Sequence, residues 1–215
     1  MQKIGMVSLG CPKNQIDAEV MLKKLEDAGF EITPVESEAD AIIVNTCGFI
    51  ESAKQEAIEN ILEVSAYKTD GNLKALIVTG CLAERYRDEI KEQMPEVDTV
   101  VGLAGNNDIV DIVKKALCGD GENVYGKKEE LIIEGDRMLT TPFYTAYIKI
   151  AEGCDNCCTY CAIPAIRGRY RSRYMQDILF EAGHLAESGV KELVVVAQDT
   201  TRYGKDLYVF FFSPM

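Results

Sequence analysis

The sequence predicts an α/β protein: a parallel sheet with helices on both faces, followed by the opening of a second β/α unit. Three observations predict it. Short apolar runs such as Ala41-Ile-Ile-Val44 are continuous, not alternating, which is the pattern of strands buried on both faces. Helical patterns separate these runs, and strands alternating with helices imply a parallel sheet. A polar, turn-rich stretch over residues 119–143 then divides the chain, with Gly119-Asp-Gly121, Gly126-Lys-Lys-Glu-Glu130 and Pro142.

In chain order, residues 3–9 read as a buried strand. Gly10-Cys11-Pro12 follows, and Pro12 suits the first turn of a helix. That helix runs to about Ala28, with Ile16, Val20, Met21 and Leu25 on its apolar face and Gly29 ending it. Strands are expected at Phe30–Val35 and at Ala41–Val44, the latter ending in Asn45-Thr46-Cys47-Gly48. A helix over about Glu51–Tyr67 leads to a strand over Leu73–Thr79 and to Gly80-Cys81. A helix near Glu84–Met94, a strand near Thr99–Leu103 and a helix near Asp108–Leu117 complete a first domain, residues 1–118. Residues 119–143 are expected as a connection, with a β-hairpin around Leu131-Ile-Ile133. Residues 144–208 carry a strand (Tyr144–Ile150), a cysteine-rich loop, a helix (174–188) and a strand (Lys191–Ala197). This is the start of a β/α barrel, whose site would lie at the carboxyl ends of its strands.

The chain has 215 residues and a formal net charge of −12. Residues 1–140 carry 27 acidic against 15 basic side chains, while residues 141–215 carry eight of each. The acidic surplus of the first part argues against nucleic acid and for a basic protein partner, although acidic surfaces also simply maintain solubility. The start has no basic region leading into a long apolar run, and no stretch is long enough to span a bilayer, so a cytoplasmic protein without a signal peptide or membrane partner is expected. In that compartment eight cysteines suggest metal or redox chemistry, not disulfides.

Four cysteines fall within Cys154-Asp-Asn-Cys-Cys-Thr-Tyr-Cys161. Read as Cys154-x3-Cys158-x2-Cys161, the stretch resembles the three-thiolate loop of radical S-adenosylmethionine enzymes. Three thiolates fix three irons of a 4Fe–4S cluster and leave the fourth open to a small molecule. Cys154-x2-Cys157 and Cys158-x2-Cys161 also have zinc-knuckle spacing, without the intervening hairpin such a site uses. A disulfide is a further reading, against the expected compartment. Cys157 is left over as a bystander thiol. Cys11, Cys47 and Cys81 each follow an apolar strand and lie next to a glycine. They are 36 and 34 residues apart, yet strand ends on one sheet edge can converge, so a second three-thiolate centre is expected. The alternative is that buried free cysteines are common.

Four segments carry a wider resemblance: Ser8-Leu-Gly-Cys-Pro-Lys-Asn14, Val44-Asn-Thr-Cys-Gly-Phe-Ile50, Val78-Thr-Gly-Cys-Leu-Ala-Glu-Arg85, and Ile148-Lys-Ile-Ala-Glu-Gly-Cys154 through Arg173. With Leu193–Tyr208, they resemble the radical S-adenosylmethionine methylthiotransferases over essentially residues 1–208. Gly10-Cys-Pro-Lys-Asn14 and Arg167-Gly-Arg-Tyr-Arg-Ser-Arg173 are similar to the ribosomal-protein branch, RimO type. The resemblance implies that residues 1–118 are the methylthiotransferase domain and 144–208 the start of the radical barrel. It implies methylthiolation of the β-carbon of an aspartate in the small-subunit ribosomal protein at the decoding centre. Cys154, Cys158 and Cys161 would hold the 4Fe–4S cluster that binds and cleaves S-adenosylmethionine. Cys11, Cys47 and Cys81 would hold an auxiliary 4Fe–4S cluster that delivers sulfur. A flavodoxin-like or ferredoxin-like electron donor is implied as a partner. The cofactors do the hard chemistry and the protein positions them.

Further cofactor contacts are expected at Tyr160, beside the adenine, at Arg167, whose fork suits a carboxylate, and at Gln198 and Asp199 on the end of the second barrel strand. Tyr160 could instead pack on the barrel. Arg167, Arg169, Arg171 and Arg173 alternate and could form one solvated face of a strand. Cys118 fits neither triplet and reads as structural, and His184, with no partner motif, reads as packing or surface. Residues 209–215 (Val-Phe-Phe-Phe-Ser-Pro-Met) depart from the family and resemble a truncated or frame-shifted end, so full turnover is not expected of these 215 residues alone. The competing functions are the tRNA-modifying branch, a non-catalytic Fe–S module, and a flavodoxin-like nucleotide binder, although no G-x-G-x-x-G follows the first strand.

Overall fold

The computed structural model describes residues 1–131 and 135–208, which form two units, Met1–Met138 and Leu139–Met215. The expected hairpin around 131–133 and the tail 209–215 lie largely or wholly outside the described residues.

The first unit runs β1 (Lys3–Ser8), α1 (Pro12–Asp27), β2 (Glu31–Ile32), β3 (Ala41–Thr46), α2 (Glu51–Ser65), α3 (Tyr67–Asp70), β4 (Ala75–Gly80), α4 (Cys81–Arg85), α5 (Arg87–Gln93), β5 (Thr99–Val100) and α6 (Ile109–Leu117). Its five strands are all parallel, in the order β2-β1-β3-β4-β5. The chain moves outward in opposite directions from β1 and β3, so the topological switch point lies between them. Side chains alternate across the sheet. Ile4, Ile43 and Ile77 pack against Met21 and Leu25 of α1 and Val113 of α6. Ile42, Val44, Leu76 and Val78 pack on the other face against Ala57 and Ile61 of α2, Leu82 of α4 and Ile90 of α5. Every residue of β3 and β4 is buried, as their unbroken apolar runs require.

Several stretches differ from the sequence expectation: the strands at 30–35 and 99–103 are reduced to β2 and β5, and the helices at 51–67 and 84–94 are each divided in two, as α2 with α3 and α4 with α5. The helix after β4 begins at Cys81 itself, because Gly80 turns the chain at φ +95° and lets α4 start at once. Residues 119–138 belong to the first unit instead of running as a connection. Val124 exchanges backbone hydrogen bonds with the Val100 carbonyl and the Gly102 amide, and Asn123 accepts from the Val100 amide at 2.8 Å. Arg137 pairs with Glu19 of α1 at 3.0 Å, both side chains being buried.

The second unit runs β6 (Thr145–Lys149), β7 (Ala151–Glu152), α7 (Ile163–Arg167), β8 (Arg171–Ser172), α8 (Met175–Glu187) and β9 (Glu192–Val196). β6 and β9 pair in parallel around the crossover helix α8, the expected opening of a β/α barrel. Ile148, Ile150 and Ile178 form one small core, and Ala146, Leu185 and Val190 another. β7 and β8 add an antiparallel clamp, too short to show in a hydropathy pattern. Among the described residues, no helix is long and apolar enough to cross a membrane.

Candidate metal centres

Cys11, Cys47 and Cys81 stand at the carboxyl ends of β1, β3 and β4, astride the switch point. Cys11 caps α1, Cys47 follows β3 directly, and Cys81 opens α4. Glycines bring these ends close. A Cβ on Gly10 would meet Cys47 Cβ at 2.7 Å and its Sγ at 3.2 Å. One on Gly48 would meet the Leu82 backbone at 2.7 Å, and one on Gly80 the Thr46 carbonyl oxygen at 2.3 Å. Only glycine lets these three backbones approach so closely and leaves the Cys47 thiol uncovered.

A polar layer supports this edge. Asn14 Nδ2 donates to the Leu9 and Thr46 carbonyls, at 2.9 Å each. Asn14 Oδ1 lies 4.0 Å from Cys81 Sγ. Asn45 Nδ2 donates to the Asn14 carbonyl at 2.7 Å, and Thr79 Oγ1 to Asn106 Oδ1 at 2.6 Å. Asn45 Oδ1 and Asn106 Nδ2 are buried with no hydrogen-bond partner among the described residues. Sequence reading placed Asn14 in a motif but gave it no role. Its signal was there: it shares the helix face of Ala18, Met21 and Leu25, so a polar side chain interrupts an apolar stripe.

The loop 154–161 is built differently. Gly153, at φ +71°, sits where a Cβ would lie 2.1 Å from the Arg169 carbonyl oxygen, so the chain enters the loop hard against β8's approach. The Cys154 amide donates to the Gly168 carbonyl at 3.1 Å, and the Tyr170 amide to Asp155 Oδ1 at 3.1 Å. The loop lines a cavity of about 550 Å³ through Cys154, Cys157, Cys158 and Cys161, with Pro164 and Arg169 on its other wall. Cys154 is buried, Cys161 half-buried, and Cys157 and Cys158 exposed. The Asn156 amide donates to Cys154 Sγ at 3.4 Å. Soft sulfur donors around a cavity of this size fit an iron–sulfur cluster. Among the described residues, no three Cys, His, Asp or Glu side chains are already gathered at metal-binding distance, in this loop or at the strand ends.

Arg167 is placed otherwise than a free cofactor contact. It is buried at 1% exposure, and its Nη1 donates to Glu152 Oε2 at 2.8 Å. Lys149, equally buried, donates to the same oxygen at 3.0 Å, and the Gly153 amide to Oε1 at 3.0 Å. Burial alone would raise the Glu152 carboxyl; the Arg167 guanidinium and then the Lys149 ammonium outweigh it and hold it at about 2. The alternating arginines do not form one solvated face: Arg167 and Arg173 are buried, Arg171 half-buried and Arg169 exposed, since Arg167 ends α7 and only Arg171 lies in β8. Arg173 donates to the Lys149 carbonyl at 2.8 Å and Glu181 at 2.5 Å.

Tyr160 is 86% exposed, so it does not pack on its own unit. Gln198 and Asp199 follow β9, as expected. Asp199 Oδ1 accepts from the Thr201 amide and hydroxyl, and Oδ2 from Asn156 Nδ2 at 3.2 Å. These bonds, Thr201 first, lower its pKa. Arg202 Nη1 donates to Asn156 Oδ1 at 3.0 Å, so Asn156, unremarked in the sequence, ties the cysteine loop to the end of β9. Cys118 is exposed at the end of α6, and His184 is exposed against the Phe180 ring.

Residues 3–102 match the family model described as uncharacterized protein family UPF0004. The chain is 54% identical over 212 residues to a protein of Desulforamulus reducens named ribosomal protein uS12 methylthiotransferase RimO, covering 97% of this chain and 47% of that protein. It is 55% identical to a protein of the same name from Acetivibrio thermocellus, over 96% of this chain and 47% of that protein. A third, from Clostridium tetani, is 53% identical over 96% of this chain and 46% of its own length. The chain thus spans about half the length of the curated relatives it matches.

Proposed function

We propose that this chain, a relative of the RimO methylthiotransferases over nearly all of its length, works in methylthio transfer to the β-carbon of an aspartate in ribosomal protein uS12. The observation that carries the reading is the pair of cysteine triplets. One is spread over three adjacent parallel-strand ends and one is folded around its own cavity. Cys154, Cys158 and Cys161 would hold one 4Fe–4S cluster and Cys11, Cys47 and Cys81 the other; with S-adenosylmethionine these groups supply radical generation and sulfur delivery.

The chain's own residues bind and orient. Two triplets, each one ligand short of closing a four-iron core, leave a coordination position at each centre for a guest. Gly153 and the Glu152–Arg167–Lys149 group fix where the loop begins, and Asp155 and Asn156 tie its middle to Tyr170 and Asp199. Tyr160 presents an uncovered aromatic face to a flat ring such as adenine. Gln198 and Asp199, beyond β9, stand where a β/α unit contacts its ligand. Arg167 acts by positioning Glu152 and the loop. The acidic surplus of residues 1–140 suits basic protein partners, and a flavodoxin-like or ferredoxin-like protein would supply electrons in the cytoplasm.

Anaerobic reconstitution tests the reading. The intact chain is expected to hold about eight irons, and alanine at either triplet is expected to remove about four. Unchanged iron after replacing Cys11, Cys47 and Cys81 would overturn the two-centre reading.

A further inference from the structure

The geometry points to Asn14 as the positioning residue that holds Cys11, Cys47 and Cys81 in register, an inference that rests on reading these three as metal ligands. Asn14 is 1% exposed, one turn into α1. Its Nδ2 donates both protons, one to the Leu9 carbonyl and one to the Thr46 carbonyl, at 2.9 Å each. Leu9 lies two residues before Cys11, and Thr46 directly precedes Cys47. The amide cannot be turned over, because that would set its oxygen against two carbonyl oxygens. Its Oδ1 is therefore fixed on the remaining side, where it lies 4.0 Å from Cys81 Sγ. One planar group thus bonds the segments leading to two of the cysteines and lies beside the third. The Asn45 side-chain amide donates to the Asn14 main-chain carbonyl at 2.7 Å and so holds the backbone from which this group projects. A residue that only completed α1 would need none of these bonds.

Groups that orient metal ligands without touching the metal typically change affinity 10- to 100-fold when removed. The test uses the 215-residue chain with Cys154, Cys158 and Cys161 changed to alanine, so that only the strand-end centre is counted. Asn14→Asp keeps the shape and loses both donors; Asn14→Ala removes the group. Iron per chain, the rate of iron loss to a chelator, the paramagnetic resonance spectrum of the reduced centre and the thermal midpoint of the metal-free chain are read together. Both variants are expected to lose iron about 10- to 100-fold faster than the parent, with an altered spectrum. Leu25→Ala, a core cut on the same helix away from the cysteines, is expected to lower the midpoint and leave release rate and spectrum unchanged. Should either Asn14 variant fold poorly, Asn14→Ser, which admits water to the two carbonyls, takes the same readouts. Asn14 variants that match the parent in release and spectrum overturn the role of Asn14 alone. A parent that takes up no iron overturns the triplet reading, and the inference with it.

Discussion

The two cysteine triplets, read as proposed metal centres, would solve one chemical problem in opposite ways. Cys11, Cys47 and Cys81 are spread across 70 residues, and only the folded sheet brings their strands side by side. Their precision comes from β3 and β4, every residue of which is buried, and from glycines that let strand ends touch. Cys154, Cys158 and Cys161 fall within eight residues and lie on a largely open loop. Their precision has to come from the loop's two ends. The spread triplet is as rigid as its sheet, but it exists only once non-local pairing is complete. The local triplet costs little loop entropy to assemble, and it is only as well placed as its anchor.

That anchor is the largest expected effect. Glu152→Ala would remove the buried carboxylate that Lys149 and Arg167 share, and breaking a buried ion pair typically costs about 3–5 kcal/mol. Hydrogen exchange and denaturant unfolding of residues 139–208 are expected to show the loss, along with accelerated labelling of Cys154. The pH dependence has a definite sign. Glu152 titrates at about 2 in the folded chain against an ordinary 4.5, so its contribution is fully present above 4.5 and disappears as pH falls through 2. A Glu152→Ala chain with unchanged exchange over 151–173 would remove the anchor from the account.

The glycines sharpen the other side. Gly80 and Gly29 have nearly the same backbone angle, φ +95° and +89°. An added Cβ at Gly29 meets nothing within 4 Å, whereas at Gly80 it meets the Thr46 carbonyl oxygen at 2.3 Å and Asn45 Oδ1 at 2.7 Å. Gly29→Ala is therefore expected to cost about 1 kcal/mol of backbone strain and Gly80→Ala about 2–3 kcal/mol. Only Gly80→Ala should also reduce iron bound at the strand ends. Equal costs in chemical unfolding would mean that close approach at Gly80 does not matter.

The same contrast explains what the sequence disclosed. β3 and β4 were legible because burial on both faces demands unbroken apolar runs, and α1 because its stripe recurs at helical spacing. The positions of the six cysteines, at strand ends and in a tight loop, were legible in the sequence; that they hold metal is a proposal. What escaped detection was mostly pairing between distant polar groups. Nothing local in Arg167 says that it turns inward to Glu152, and four arginines at alternating positions look like a wet strand although the first of them ends α7. Asn156 carries no motif, and its partners Asp199 and Arg202 lie more than 40 residues away. Residues 119–138 read as a linker because their composition is polar, yet Asn123, Val124 and Arg137 bind them to the sheet and to α1.

The smallest expected effect separates an anchor from a tether within the second unit. Asp199 is half-buried, and its lowered pKa comes from hydrogen bonds, from Thr201 first and Asn156 second. Asp199→Ala should leave thermal unfolding nearly unchanged, since surface polar changes rarely matter to global stability. It should instead free Asn156 and quicken hydrogen exchange at residues 155–158, where Glu152→Ala disturbs the whole unit. Because the folded pKa of Asp199 lies below the ordinary aspartate value, the tether holds above that value and lets go as pH falls through the lowered one. Loop protection, taken as exchange relative to the intrinsic rate at each pH, should therefore fall towards acid in the wild-type chain and stay flat in Asp199→Ala. A loop that quickens equally in both chains would assign its order to Asp155 and Tyr170 alone.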